Sequence, residues 1–170
     1  MPLAVPSAAA AATRPTVMVI HGPNLDLLGT REPEIYGSTS LPELDRRMLE
    51  LGASLGVDVE SHQTNGEGAF IELLHRARSS YAGVIVNPGG YTHTSVAIHD
   101  ALRAVEAPVV EVHLSNLYAR EPMRHGSVTG AACRGVVMGL GLDSYLLALR
   151  HLAAIAGTPH DASARTPEPA

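Results

Sequence analysis

Short apolar segments alternate with amphipathic segments along most of this chain, and no other feature of the sequence limits the fold so strongly. The apolar runs are rich in β-branched residues, as buried strands are, and they lie at 17–20, 57–61, 83–87, 107–114 and 135–141. Between them, apolar residues recur at spacings of three and four, which predicts helices at 41–55, 68–78, 95–105 and 144–156. Ser40 and Glu43 form a capping-box pattern at the first helix, and Gly56 follows its end.

Strands that alternate with helices form a parallel sheet whose faces are both covered by helices. The five strand segments therefore predict an α/β fold, a flavodoxin-like doubly wound five-stranded parallel sheet with helices on both faces. Ligands bind in this architecture at the carboxyl ends of the strands. The segments after the first, third and fourth strands are the predicted location of a functional site.

The ends of the chain differ in composition from the rest. Residues 1–15 are rich in Ala and Pro, and residues 157–170 are polar with several prolines, which predicts disordered tails around one domain at 16–156. The N-terminal stretch lacks the basic start and the apolar run of a signal peptide, and no segment is long and apolar enough to cross a membrane. A net charge of −5 argues against nonspecific nucleic-acid binding, and a single cysteine, Cys133, suggests a reducing compartment. These features predict a soluble, cytoplasmic protein that binds neither nucleic acid nor membranes.

Polar residues collect at or after the ends of the predicted strands. The first two strands are followed by Asn24, Arg31 and Tyr36, and by Asn65 and Glu67. The third and fourth contribute Asn87, Gly89, Gly90, His93, Glu111, His113, Ser115, Asn116, Arg120 and Arg124. Because the carboxyl ends of parallel strands meet at one edge of the sheet, these groups are predicted to share a site.

Each group also has a purely structural interpretation. The Asn-Pro-Gly-Gly sequence at 87–90 is a common turn. His113 alternates with apolar neighbours and would fit a hydrogen-bonded core histidine. A single Arg31 or Tyr36 in a loop is usually solvated surface. The convergence of several loops with the same kinds of side chain favours a functional site over these alternatives.

The residue types at this edge favour an anionic ligand. Asn87, Gly89, Gly90 and a helix beginning near Thr94 offer backbone N–H donors and the positive end of a helix dipole. Arg120 and Arg124 add positive side chains. His93 and Asp100 suit hydroxyl groups. The sequence His-Gly-Pro-Asn-Leu-Asp at 21–26 lacks the dinucleotide fingerprint, so a nicotinamide cofactor is not expected. His93, Asp100 and His113 lack the paired spacing of a zinc site, so no metal is predicted.

Four longer segments resemble, in order and spacing, the type II 3-dehydroquinate dehydratases. They are GPNLDLLGTREPEIYG (22–37), QTNGEG (63–68), NPGGYTHTSVAIHDAL (87–102) and VEVHLSNLYAREPMRH (110–125), and the resemblance spans about 17–154. It implies the fold already predicted and the dehydration of 3-dehydroquinate to 3-dehydroshikimate without metal or organic cofactor. This step belongs to the shikimate pathway and to quinate catabolism. The resemblance also implies a homododecamer, a tetramer of trimers.

The resemblance further implies a role for each matching residue. Tyr36 would be the base that removes the proton, Arg31 would keep it ionised, and His113 would protonate the leaving hydroxyl. Asn24 would stabilise the enolate through a water, and Glu111 would position the histidine. With the glycines of the predicted anion site, the substrate-binding residues are Asn87, Gly89, Gly90, His93, Leu114, Ser115, Arg124 and, supplied to a neighbouring subunit, Asp100.

These roles explain a long polar loop after the first strand. The proton removed lies next to a ketone, and a tyrosine is a strong base only when ionised. The guanidinium of Arg31 would lower the pKa of Tyr36, and a loop that closes over the substrate would exclude water. The chain also departs from the family. Asp26 replaces an asparagine, MRHGSVTG (123–130) replaces a Phe-Arg-His-His-Ser-Tyr run around Arg124, and GLDSY (141–145) lacks a glycine.

Two other classes of function fit part of the sequence. A flavodoxin-like module that binds an anion or flavin without chemistry predicts flavin absorbance, but it leaves the Arg31–Tyr36 pair unexplained. A metal-dependent hydrolase that uses the histidines predicts loss of activity with a chelator. The dehydratase accounts for more of the polar residues than either alternative.

Overall fold

A computed structural model describes residues 13–30 and 38–156. Apart from 13–15, the predicted tails lie outside the described residues, as do Arg31 and Tyr36. The strands are β1 (Thr16–His21), β2 (Asp58–Gln63), β3 (Gly83–Asn87), β4 (Val109–His113) and β5 (Gly135–Met138). The helices are α1 (Leu41–Leu55), α2 (Glu67–Arg76), α3 (Val96–Arg103) and α4 (Asp143–Ile155). Within these ranges, no helix is both long and apolar enough to span a bilayer.

The strands form one parallel sheet in the order β2-β1-β3-β4-β5. The predicted flavodoxin-like α/β fold is therefore confirmed. β1 pairs with both β2 and β3, so the chain first builds the sheet in one direction and then crosses β1 to build it in the other. The loops after β1 and β3 consequently diverge, and this reversal opens a crevice at the carboxyl ends of the strands.

Two apolar layers hold the helices against the sheet. Val17 and Val19 of β1 belong to the layer beneath α1 and α4, whereas Met18 and Ile20 belong to the layer beneath α2 and α3. This split follows from the alternation of side chains along a strand. All four side chains are fully buried, and burial of each stabilises the fold by about 1.5–3 kcal/mol. The core is thus mostly aliphatic, with a fully buried aromatic side chain in each layer, and it fixes the strand ends that carry the polar loops.

Several element boundaries differ from the sequence-based prediction. β2 continues to Gln63 rather than ending at 61, because its pairing with β1 extends to His21, and an edge strand tolerates polar residues. β4 begins at Val109 rather than 107, because Pro108 has no N–H to donate. β5 ends at Met138, ahead of glycines at 139 and 141 with positive φ.

The helix ends show why α1 and α3 start where they do. Ser40 Oγ accepts a hydrogen bond from the Glu43 N–H at 3.4 Å, but the Glu43 carboxylate binds Arg46 and Arg47 instead of completing the capping box. α3 begins at Val96, two residues after the predicted opening near Thr94, and Ser95 caps it by accepting the Ile98 N–H.

Candidate active site

A cavity lies at the carboxyl ends of β1, β3 and β4, where the sequence predicts a site. The loop after β1 contributes Pro23, Asn24, Leu25, Leu27 and Leu28. The loop after β3 contributes Asn87, Gly89, Gly90 and His93, and the end of β4 with the following segment contributes His113, Leu114, Ser115, Leu117, Arg120 and Arg124. The lining therefore combines apolar side chains, most of them from the loop after β1, with amide, imidazole, hydroxyl and guanidinium groups.

The structure brings most of the predicted site residues into this cavity. Asn24, Asn87, Gly89, Gly90, His93, His113, Leu114, Ser115 and Arg124 line it. Glu111 lies behind His113 and is fully buried. Asp100 does not line the cavity; its side chain is 73% exposed on α3, and it pairs with His99. Arg31 and Tyr36 lie outside the described residues.

The loops after β1 and β3 are packed so closely that two glycines are required. A Cβ atom at Gly22 would lie 2.7 Å from the backbone of Pro88, and the Gly22 N–H donates to the Asn87 carbonyl at 2.8 Å. Gly89 has a φ of +59°, and a Cβ there would approach the Pro23 carbonyl oxygen at 3.1 Å. This contact sets the spacing between the two loops, which bring Asn24 and Asn87 to the same cavity.

The loop after β2 fixes the loop after β1. Asn65 Oδ1 accepts the backbone N–H of Asn24 at 2.9 Å and the side-chain amide of Gln63 at 3.0 Å. Asn24 has a φ of 67°, in the left-handed region that asparagine tolerates better than most residues. The role of Asn65 is thus to hold the conformation of Asn24. Glu67 accepts the Ser95 hydroxyl at 2.6 Å and ties α2 to the cap of α3.

His113 and Glu111 form a buried pair at the end of β4. They are two residues apart on a strand, so both side chains point to the same face of the sheet. His113 Nε2 lies 2.8 Å from Glu111 Oε1, and a carboxylate oxygen can only accept, so Nε2 donates. Among the described residues, Nδ1 of His113 has no hydrogen-bond partner. The tautomer and direction of the ring are therefore fixed by Glu111.

Hydroxyl groups that the sequence-based analysis did not single out surround the same carboxylate. Thr129 Oγ1 donates to Glu111 Oε2 at 2.5 Å, and Ser127 Oγ donates to Oε1 at 2.8 Å. Thr92 Oγ1 approaches Oε1 at 3.4 Å. Ser127 and Thr129 come from the segment at 123–130 that departs from the family pattern. No sequence signal identified them, because serine and threonine in an irregular segment are common surface residues.

The same segment is bound to the loop after β3. His93 Nδ1 donates to the Gly126 carbonyl at 2.8 Å, and the Val128 N–H donates to the Thr92 carbonyl at 2.8 Å. The first bond leaves Nε2 of His93 for a ligand in the cavity. The departure at 123–130 therefore packs as part of the site wall.

Positive charge is concentrated at the rim of the cavity. Glu121 lies 3.4 Å from Arg120 and 3.2 Å from Arg124. A hydrogen bond from its own backbone N–H and the charges of the two guanidiniums lower the pKa of Glu121. Arg120 also donates to Ser115 Oγ at 3.3 Å. This rim suits a carboxylate ligand, while the amide, imidazole and hydroxyl groups deeper in the cavity suit hydroxyls.

A chain of buried hydrogen bonds supports Asn87 from below. The Gly89 N–H donates to Asn87 Oδ1 at 3.1 Å, and Asn87 Nδ2 donates to the Tyr145 hydroxyl at 2.9 Å. Tyr145 is 3.2 Å from His21 Nδ1, and His21 Nε2 is 3.1 Å from Asp45. Burial raises the pKa of Tyr145 well above its ordinary value, so this phenol stays protonated. It acts as a link that fixes the orientation of the Asn87 amide.

The Asp45–His21 contact predicts a pH dependence of stability. Burial, the largest single influence, opposes ionisation of Asp45, but the hydrogen bond from His21, its positive charge and a smaller contribution from Ser61 together outweigh burial and lower the pKa below the ordinary 3.8. A lowered pKa in the folded state stabilises the fold above the ordinary value, and that stabilisation is lost as pH falls through the folded-state value. We expect Asp45→Asn to lower the free energy of unfolding at pH 7, and the difference from the parent protein to shrink below about pH 4.

Urea unfolding of both proteins at pH 7 and in steps below pH 4 measures this difference. Asp58→Asn is the matched control, because the carboxylate of Asp58 is 58% exposed in a long ion pair with Arg14 and surface pairs contribute little. A difference for Asp45→Asn that is the same at every pH would contradict the assignment.

The histidines and carboxylates of the site do not converge as metal ligands do. In 13–30 and 38–156, no group of three or more His, Cys, Asp or Glu side chains is arranged to hold a metal ion. His93 and His113 both line the cavity, whereas Asp100 lies outside it. His113 instead uses one ring nitrogen for Glu111, and the other has no hydrogen-bond partner among the described residues.

Comparison with known proteins gives one consistent family. The model of the family described as dehydroquinase class II matches residues 15–153. The 3-dehydroquinate dehydratase of Pelotomaculum thermopropionicum is 49% identical over 142 residues, which cover 84% of this chain and 99% of the relative. The catabolic 3-dehydroquinase of Emericella nidulans is 49% identical over 138 residues, which cover 81% and 90%.

Solved structures agree with the sequence relatives. The type II dehydroquinase of Propionibacterium acnes superposes with a TM-score of 0.79 at 43% identity, covering 85% of this chain and 99% of that one. The type II dehydroquinase of Butyrivibrio crossotus gives a TM-score of 0.80 at 42% identity, covering 82% and 97%. The predicted resemblance is confirmed: the chain belongs to the class II dehydroquinases, and is thus a hydro-lyase of the type II 3-dehydroquinate dehydratase family.

Proposed function

We propose that this enzyme removes water from 3-dehydroquinate by anti elimination through an enolate, with the tyrosinate of Tyr36 as base and His113 as acid. The observation that carries the proposal is the His113–Glu111 pair. Its 2.8 Å contact commits Nε2 to a buried carboxylate, and the ring lines a cavity that also holds Asn24, Asn87 and Arg124. A histidine held in this way can deliver a proton from Nδ1 to a leaving hydroxyl.

The proposed binding mode follows from the polarity of the cavity wall. The substrate carboxylate pairs with Arg124 at the rim. The hydroxyls accept and donate hydrogen bonds among Asn87, His93, Ser115 and the backbone of Leu114, with the N–H groups of Gly89 and Gly90 nearby. The apolar residues Leu25, Leu28 and Leu117, which also line the cavity, suit the carbon ring.

The elimination proceeds in two steps. Tyr36 takes the proton from C2, beside the ketone at C3, and the electron pair of that C–H bond moves onto the ketone oxygen to form the enolate. Arg31 keeps the phenol ionised, and Asn24 stabilises the enolate through a water. The enolate then reforms the ketone and expels the C1 hydroxyl, which takes the proton from His113 and leaves as water. Each proton and electron pair has a residue or substrate atom to receive it, so the mechanism needs no metal or organic cofactor.

The stereochemistry of the elimination tests this mechanism directly. Two substrates are prepared, each carrying deuterium at one of the two C2 positions, and turnover is followed by the ultraviolet absorbance of the conjugated enone. Anti elimination removes the label that lies on the face opposite the C1 hydroxyl and keeps the other. Loss of the label on the hydroxyl's own face would contradict the proposal, and inhibition by a chelator would point to metal chemistry instead.

The reaction fits either of two metabolic routes. The relatives comprise an enzyme named 3-dehydroquinate dehydratase and one named catabolic 3-dehydroquinase at the same identity of 49%. The reaction serves aromatic biosynthesis through the shikimate pathway or the breakdown of quinate. A reducing, cytoplasmic location is part of the same proposal, supported by the presence of one cysteine, Cys133, in the sequence.

We also propose that the enzyme is a homododecamer, a tetramer of trimers, in which Asp100 completes the site of a neighbouring subunit. Asp100 and Val96 lie four residues apart on α3 and therefore share a face of the helix. The Asp100 side chain is 73% exposed and Val96 is 62% exposed. A carboxylate that is exposed on a helix and lies outside the cavity of its own subunit is accessible to the site of a neighbour, which supports this assignment.

Mixing two inactive variants tests the shared site. Asp100→Ala is expected to be nearly inactive because each cavity then lacks the carboxylate from its neighbour, and light scattering should give a closed oligomer in multiples of three chains. Asp100→Ala and His113→Ala subunits, dissociated and reassembled together, should recover activity in sites that combine an intact cavity with an intact neighbour. An active monomer, or no recovery in reassembled mixtures, would contradict a shared site.

A further inference from the structure

The carboxylate of Glu111 is held by more than the histidine it contacts. The residue is fully buried on β4, and its two oxygens are divided between different partners. Oε1 accepts from His113 and from Ser127, each at 2.8 Å. Oε2 accepts from Thr129 at 2.5 Å, and Thr129 is its only hydrogen-bond partner within 13–30 and 38–156.

The distances rank the hydroxyl donors. The contact from Thr129 lies in the range of hydrogen bonds from a hydroxyl to an ionised acceptor, and the contact from Ser127 has the length of an ordinary O–H···O hydrogen bond. The contact from Thr92 at 3.4 Å lies at the end of the accepted range and adds little. Thr129 is itself fully buried, so its hydroxyl has no exchange with bulk water.

The direction of each bond is set by chemistry. Ser127 Oγ accepts the Gly130 N–H at 2.8 Å, which leaves its own O–H for Glu111. An ionised carboxylate is acceptor-only, so it satisfies the O–H of Thr129, the O–H of Ser127 and the Nε2–H of His113 at the same time. In a protonated carboxyl, one oxygen would carry an O–H that faces another donor instead of accepting from it. The surroundings of Glu111 are therefore built for the anion.

We propose that Thr129 and Ser127 are positioning residues for proton delivery by His113, acting through Glu111. The two hydroxyls fix the plane of the carboxylate, and the carboxylate in turn fixes the tautomer and the direction of the His113 ring. This inference rests on the proposed role of His113 as the acid. It gives the segment at 123–130 a function in the chemical step.

Thr129→Val is the central test, because valine keeps the shape of threonine and removes the hydroxyl. We expect kcat to fall by roughly 10–100-fold, the factor that corresponds to loss of a hydrogen bond to a charged group, while KM changes little because Thr129 does not line the cavity. Thr129→Ser keeps the O–H and should retain most of the activity. Ser127→Ala should also reduce kcat, and it provides a second measurement if Thr129→Val folds poorly.

The control separates a catalytic effect from lost stability. Ser144→Ala removes another fully buried hydroxyl, which lies at the start of α4 and accepts the Leu140 N–H. It should match Thr129→Val in thermal stability without the loss in kcat.

A double-mutant cycle with Glu111→Gln tests whether Thr129 acts through the carboxylate. If it does, Thr129→Val should cost little further activity once Glu111→Gln is present, because the two changes remove parts of one unit. Normal kcat in Thr129→Val, or a full additional loss in the Glu111→Gln background, would overturn the inference. An active His113→Ala enzyme would instead overturn the proposed acid itself, so the two failures are distinguishable.

Discussion

His113→Ala is expected to lower kcat by roughly 10²–10⁴-fold, the contribution typical of a positioned general acid. The leaving group is a hydroxide ion unless a proton reaches it, and His113 is the cavity residue whose other ring nitrogen is already bound to a buried carboxylate. KM should change much less, because the proton is transferred only in the transition state. Steady-state turnover of 3-dehydroquinate, followed as enone absorbance, measures both constants.

His113→Gln is the stricter version of this experiment. Glutamine can still donate to Glu111 and fills similar space, but it cannot transfer a proton at neutral pH. Its kcat should therefore be as low as that of His113→Ala. His151→Ala, at an exposed histidine of α4, is the matched control and should behave as the parent enzyme. Turnover near the parent level in His113→Gln would mean that the leaving hydroxyl is protonated from elsewhere.

The fold could be predicted from the sequence because its information is local and repeated. β3 is a fully buried run, Gly83–Asn87, and its predicted bounds agree with the structure. Helices with one apolar face, such as α1 with Leu44 and Met48 inside, are similarly plain in the spacing of residues. The errors fell at element ends, where pairing decides the bounds. β2 extends beyond 61 only because β1 offers partners as far as His21.

The site could be predicted in part for the same reason. A doubly wound sheet brings the ends of β1, β3 and β4 together, so Asn24, Asn87 and His113 had to lie near one another. The chemistry assigned to Arg31 and Tyr36 came from the family resemblance. The structure does not test it, because both residues lie outside the described ranges.

The parts of the site that the sequence did not reveal are contacts between distant segments. Thr129 binds Glu111 across 18 positions of the chain, and Tyr145 binds Asn87 across 58. No sequence pattern around Thr129 or Tyr145 predicts a buried hydrogen-bond partner. Their roles depend on how irregular segments pack against the sheet. Contacts of this kind, made to the residues that line the cavity or bind them, set the tautomer of a histidine, the orientation of an amide and the charge of a carboxylate. They can therefore change the chemistry of the site without altering any recognisable motif.

Tyr36→Phe is expected to be close to inactive at every pH, because phenylalanine has no ionisable oxygen to take the proton from C2. No tyrosine of the described residues lines the cavity, and Tyr145 below it is a buried donor whose pKa is raised by burial. The described tyrosines therefore supply no group that could replace Tyr36 as the base. Tyr81→Phe is the matched control, since the Tyr81 hydroxyl binds Glu60 away from the cavity, and its turnover should be normal.

Arg31→Ala should retain the phenol and lose the charge that lowers its pKa. We expect a large loss in kcat with a smaller change in KM, because the interaction serves mainly the transition state. The residual activity should rise toward high pH, as an unaided phenol with a pKa of about 10 ionises. Arg31→Lys should recover part of the activity, since an ammonium supplies charge without the planar fork of the guanidinium. A pH–rate profile of all these variants is the measurement. If Tyr36→Phe stays active, or Arg31→Ala loses only affinity, the loop after β1 contributes to binding and the base must be sought elsewhere in the cavity.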